Sequence, residues 1–217
     1  MGDSATMETM LVEYGTQKLY YGFPVFILGY EDDKHGMNIT TCTSSYSLRN
    51  TVSVGMLSTS NAAHQMKESG RFSMNVIDEG MMAVAEFAGI KRGGTNKAGR
   101  PGTDKLQESG VDFQAMEGLP VLSRARIVLL CDVVEVHEFD QVTHFTASIS
   151  KRLIDDSLLD EKGHFIYRDF NPVIYEGDTR RRMYRFIENG EEGHEDILPF
   201  GSYARAARGR KGENQED

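Results

Sequence analysis

Tryptophan is absent from this chain of 217 residues, and cysteine and proline are scarce at two and five. Cys42 and Cys131 lie far apart, and neither sits in a CxxC pair. A redox dithiol is thereby disfavoured, and both thiols are expected to be reduced inside strands. None of the six histidines follows HxH or HExxH spacing, so no metal site is expected. No apolar run approaches the roughly 18–20 residues of a membrane span. The start, "MGDSATMETM", lacks the basic-then-apolar order of a secretory signal. A soluble, cytoplasmic protein without a membrane partner is the expectation. Positive charge is also short. A formal net charge of −9 argues against a nucleic-acid partner, because phosphate backbones are held by Lys and Arg. The basic cluster Arg205, Arg208, Arg210 and Lys211 reads as a disordered tail over 202–217.

Hydrophobic residues make up 39% of the chain, enough for one core, and methionine is frequent at 11. "GFPVFILGY" (22–30), the turn "EDDKHG" and "MNITTCTSS" read as a β-hairpin. "TVSVGML" (51–57) alternates as a half-buried strand, and so does "RFSMNVID" (71–78). Between them, "STSNAAHQMKESG" carries hydroxyls at a helix start and a terminating Gly70. "MMAVAEFAG" (81–89) reads as a short helix stopped by Gly89. "RARIVLLCDVVEVHEF" (124–139) is too long for a straight strand and demands a bend or bulge. "HFTASISKRLID" (144–155) alternates as its antiparallel partner, and 156–200 carries short segments that read as packing arms. No βαβ rhythm or GxGxxG appears, which disfavours a Rossmann fold. Alternating strands with hairpin turns indicate a closed or split barrel, mainly β with short helices. One domain over 17–201 is expected, preceded by an extension, 1–16.

Three stretches could carry chemistry. Ser58, Thr59, Ser60 and Asn61 place donors at the positive end of a helix, where a phosphate can be held. An ordinary N-cap uses the same residue types. The strand 38–45 carries Thr40, Thr41, Thr43, Ser44 and Ser45 on both faces, so some hydroxyls point inward and need partners. A flavin ring would supply them, and an exposed Thr-rich edge would not need them. The glycine-rich loop 91–105 concentrates Lys91, Arg92, Lys97, Arg100 and Lys105, which could meet a second anion such as a nicotinamide-cofactor phosphate. His144 opens a strand after "DQVT". No catalytic triad or acid–base pair is legible.

Taken in order, "YYGFPVFILGY", the Thr/Ser strand after Asn38, "TVSVGML-STSNAAHQMKESGRFSMNV", "GTDKLQESGVDF", "GLPVLSRARIVLLCDVVEV" and "THFTASI" resemble the flavin reductase-like family. That family folds as an FMN-binding split β-barrel, a Greek-key antiparallel arrangement. "LDEKGHF" and "NPVIYEGDTRRRMYRF" are most similar to its flavoredoxin-type branch. The resemblance implies FMN as cofactor and a homodimer with flavin near the subunit interface. It implies that Asn38, Thr40, Thr41, Cys42, Thr43, Ser44 and Ser45 line the ring. Ser58, Thr59, Ser60 and Asn61 would hold the phosphate, and Asn75 and Lys105 would approach the cofactor. His144 would face a nicotinamide substrate. Two functions follow: an NAD(P)H-dependent oxidoreductase passing hydride to flavin N5, or an electron carrier served by a protein donor. Neither needs a catalytic side chain. Tyr46 is the one aromatic close to the Thr/Ser strand.

Overall fold

The structure, a computed structural model, describes residues 11–95, 99 and 102–186. The tail over 202–217, most of the extension, and Lys97 and Arg100 lie outside the described residues.

The strand expected at 22–30 is two strands. β1 (Leu19–Pro24) ends at a proline, and β2 (Phe26–Asp32) begins after Val25. Pro24 has no N–H to continue a ladder, and a register shift between Tyr21 and Phe23 turns β1 aside. β2 forms the expected hairpin with β3 (Gly36–Cys42), Phe26 pairing Cys42 and Asp32 pairing Gly36. The Asp32 carboxylate closes the turn by accepting from the N–H groups of Lys34 (3.0 Å) and His35 (3.1 Å). The Thr/Ser stretch 38–45 is also divided. β3 stops at Cys42, residues 43 and 44 turn, and β4 (Ser45–Leu48) pairs with β5 (Thr51–Leu57).

Ser60 caps α1 (Asn61–Ser69), its hydroxyl oxygen accepting from the Ala63 N–H at 3.1 Å. Gly70 ends that helix in the left-handed region at φ 70°. β6 (Arg71–Val76) follows, then α2 (Met82–Ile90). Gly89 does not stop α2; the chain becomes extended at Lys91, whose N–H still reaches Phe87 O. After α3 (Lys105–Glu108) come the hairpin β7 (Phe113–Met116) and β8 (Leu119–Leu122), then β9 (Ile127–Phe139) and β10 (Val142–Ile154). The long β9–β10 hairpin carries two register shifts, the irregularity its length required. The segments read as packing arms become β11 (Ile174–Asp178) and β12 (Arg182–Arg185), which join β1 in a small sheet.

The main sheet has the order β3-β2-β6-β9-β10-β5-β4, with every pair antiparallel. β5 and β6, consecutive in sequence, are separated by β9 and β10, the crossover of a Greek-key arrangement. Alternation places Phe26, Leu28, Tyr30, Val52, Val54, Phe72 and Phe145 inside one buried cluster. Val25, Ile27 and Ile39 face the other way, into a second cluster with Ala85 and Ala88 of α2. β2 is therefore buried on both faces, which explains its continuous apolar run. The sheet curls until its ends approach: Cys42 Sγ at the end of β3 lies 3.7 Å from Gly55 O in β5. Among the described residues, no helix is long and apolar enough to cross a membrane. Nor do three or more His, Cys, Asp or Glu side chains gather there to hold a metal ion.

Candidate functional site

A cavity of about 410 Å³ opens at the start of α1. Thr59, Ser60, Asn61 and Ala62 line it, together with Thr40 of β3 and Lys105 of α3. The segment Lys91–Thr95, with Leu57, Gly89 and Ile90, completes the lining. The first N–H groups of an α-helix have no partner within the helix. Here the Ala63 N–H is capped by Ser60, so those of Asn61 and Ala62 remain to be used. The Ser60 hydroxyl oxygen is an acceptor in its cap bond, so its proton is free to be donated. Lys91, Arg92 and Lys105 add positive charge to the same cavity. An anion is the ligand that this donor set fits.

Lys105 is 4% exposed, and its ammonium donates to Ala88 O at 2.7 Å. Burial pushes its pKa down to about 8, against the opposing pull of the Asp32 carboxylate. Its backbone is pinned too, because the Lys105 N–H donates to Asn38 Oδ1 at 3.1 Å. Asn38 Nδ2 donates to Thr103 O at 3.1 Å. Thus Asn38 lies beneath the cavity as a tie, with both ends of its amide committed.

The segment 91–95 is clasped to the chain that returns from the loop tip. The Thr103 N–H donates to Arg92 O at 2.9 Å. A Cβ on Gly102 would stand 2.3 Å from the backbone carbonyl carbon of Gly93, and one on Gly93 would stand 3.3 Å from both Asn61 Nδ2 and Tyr30 Oη. Only glycine allows two backbones this close. Gly102→Ala is expected to displace the clasp and weaken ligand binding at least tenfold, while the melting temperature falls by only a few degrees. Calorimetric titration and a thermal melt of the same preparation check this pair of outcomes.

Of the residues singled out in the sequence, Thr40, Thr59, Ser60, Asn61 and Lys105 meet at this cavity. Others are placed elsewhere. Ser58 turns to the β9–β10 hairpin, where the Thr143 hydroxyl lies 2.9 Å from Ser58 Oγ and 3.1 Å from Glu138 Oε1. The Thr41 hydroxyl donates to Ala85 O and fastens α2 to β3. Cys42 is buried in the barrel, where desolvation pushes its thiol up to about 11. Asn75 is fully buried, donating to Ile27 O (3.1 Å) and Ser73 Oγ (3.2 Å) and accepting from the Leu122 N–H (2.9 Å). Its amide belongs to the framework. Thr43, Ser44 and Ser45 sit at the β3–β4 break, outside the lining. His144 is exposed on β10 opposite Gly55, and its Nδ1 would lie 3.3 Å from a Cβ there. Of the charged loop's described cations, Lys91 and Arg92 share the cavity of Ser60 with Lys105. Leu57, Ile90 and the Gly93–Gly94 pair carried no sequence signal for this site.

A family model described as a flavin reductase-like domain matches residues 19–183. The chain belongs to the flavin reductase-like family. The matched span of this flavin reductase-like domain holds the whole cavity lining. Flavoredoxin of Desulfovibrio vulgaris (Miyazaki F) is 20% identical, with 89% of this chain and 100% of that chain covered at a TM-score of 0.70. Flavoredoxin from Methanosarcina acetivorans is also 20% identical, with 90% and 100% covered at 0.72. An FMN-binding protein from Thermus thermophilus is 18% identical, with 86% and 100% covered at 0.65. These likenesses establish the split-barrel fold. Among curated proteins no sequence relative is found.

Proposed function

We propose that this domain binds FMN with its phosphate at the start of α1 and serves as an NAD(P)H-dependent flavin oxidoreductase. The convergence of the α1 N-terminus with Lys91, Arg92 and Lys105 on one cavity carries the reading. In a chain of net charge −9, three cations on one small cavity mark an anion site. At about 410 Å³ the cavity falls in the usual range of small-molecule sites. When bound, FMN supplies hydride and electron transfer.

The protein's part is to hold and orient. The N–H groups of Asn61 and Ala62, the Thr59 and Ser60 hydroxyls and the three cations would bind the phosphate. Leu57 and Ile90 would exclude water from the apolar part of the ligand. Thr43, Ser44 and Ser45 are proposed to bracket the ring from the β3–β4 break, close to Gly55 and His144. His144 would then meet the nicotinamide. A homodimer is proposed as well, supported by Tyr46 and Leu48, which stand exposed on the edge strand β4. An electron carrier served by a protein donor is the second reading, supported by the likeness to two flavoredoxins.

Anaerobic mixing with NADH or NADPH separates the two. Bleaching of the visible flavin band at about 1 s⁻¹ or faster is expected for the oxidoreductase. A flavin that neither nicotinamide reduces, but a protein donor does, leaves the carrier. Purified protein that binds no added FMN defeats both.

A further inference from the structure

Beneath the cation-lined cavity lies a buried carboxylate that phosphate binding does not call for. Asp32 is 4% exposed. Its Oδ1 closes the β2–β3 turn, and its Oδ2 accepts from Asn61 Nδ2 at 2.7 Å and from Asn38 Nδ2 at 3.4 Å. Asn61 is the first residue of α1 and lines the cavity. The negative charge therefore sits one side chain away from the helix end that would take the phosphate. A buried carboxylate repels a dianion, and inside a cavity that repulsion is poorly screened.

The hydrogen bonds alone do not require the charge. An asparagine at position 32 would close the same turn through its oxygen. Asn61, with its amide turned end for end, would accept from the new amide and keep the link. Asn38 loses its long 3.4 Å contact to position 32 and retains its shorter bond to Thr103 O. A carboxylate at this place costs desolvation and gives the turn nothing that the amide lacks. What it adds is charge: a field directed against an anionic ligand, which also favours the charged form of Lys105.

We propose that Asp32 is a counter-charge that keeps the hold on the flavin phosphate loose, so that FMN exchanges instead of remaining fixed. The proposal rests on the FMN reading of the same cavity. Asp32 touches no ligand atom; it acts through Asn61 and through its field, as a positioning residue. One effect of opposite sign has to be held constant. The Asp32 carboxylate favours the charged form of Lys105, so its removal makes that lysine easier to deprotonate. Work at about pH 6.5, below the Lys105 value of about 8, favours the protonated lysine and so limits this effect.

The test compares the full chain with Asp32→Asn and Asp32→Ser, two neutral residues of different shape, at that pH. FMN and riboflavin, which lacks the phosphate, are titrated into each apoprotein by flavin fluorescence, and FMN release is timed. In both variants FMN is expected to bind tighter by on the order of tenfold, the scale set by one neighbouring unit charge. Release should slow to match, and riboflavin affinity should not change. FMN affinity that is unchanged or lower in the folded variants overturns the counter-charge and leaves the FMN reading standing. Equal tightening of FMN and riboflavin also overturns it, because the effect then lies outside the phosphate. Absence of FMN binding in the wild type removes the FMN reading itself, and the proposal with it. If Asp32→Asn does not fold, Asp32→Ser decides alone.

Discussion

Lys105→Met is expected to cost about 2–3 kcal/mol of FMN affinity, the usual value of a charge-assisted hydrogen bond to a buried anion. The substitution keeps roughly the length of the side chain and its apolar stem, while the Ala88 carbonyl loses its donor. Riboflavin should bind to wild type and variant alike, which separates loss of a phosphate contact from loss of fold. A pH series adds a second readout. An anion prefers the protonated lysine, and burial has pushed the Lys105 pKa down to about 8 in the free protein. FMN affinity should therefore be highest below that value and should fall as pH rises through and beyond it. The methionine variant should show no such fall. For folding the sign is opposite. The unfolded chain keeps this proton to higher pH than the native one, so the cost of burying the charge is relieved between about 8 and the ordinary lysine value of 10.5. Titrations of the two proteins at pH 6.5 and 9 decide the matter. Parallel pH curves would remove Lys105 from the phosphate site.

Asn75→Leu is expected to destabilise the fold by about 3–5 kcal/mol. The amide makes three hydrogen bonds at zero exposure. Leucine would leave the Leu122 N–H, the Ile27 carbonyl and the Ser73 hydroxyl short of partners in a closed interior. Water cannot repair this, because the site sits where β2, β6 and the β7–β8 hairpin meet. Urea unfolding of both proteins measures the difference. Whatever fraction of the variant remains folded should bind FMN with wild-type affinity, because the amide faces the framework and not the cavity. A variant that kept its stability and lost FMN would place Asn75 in the site after all.

Much of the architecture can be read from periodicity. Val52, Val54 and Phe72 alternate toward one buried cluster, and Ser60 and Gly70 punctuate α1 by their cap chemistry. Family resemblance led to the split barrel through the ordered series of those segments. What sequence could not show is where a polar side chain spends its hydrogen bonds. Asn38 and Asn61 look alike in composition, yet one ties two loops beneath the cavity and the other lines it. Ser58 and Ser60 are two residues apart and share one hydroxyl chemistry, but the chain turns between them, and only Ser60 caps the helix. The division of 38–45 at Thr43 was equally hidden, since Thr and Ser suit a strand and a turn. Lys105 is remote in sequence from α1, and the glycine-dependent contact between the two ends of the loop, with the ties to Asn38 and Ala88, brings it there.

That contact makes the two ends of the loop one mechanical unit. Arg92 and Thr103 are joined by a backbone hydrogen bond, and Gly93 and Gly102 lie backbone against backbone. The cavity wall is thus completed before the chain reaches its tip and again after it returns. A pull on either end of the loop is therefore shared by both backbones before it reaches the wall that carries Lys91 and Arg92.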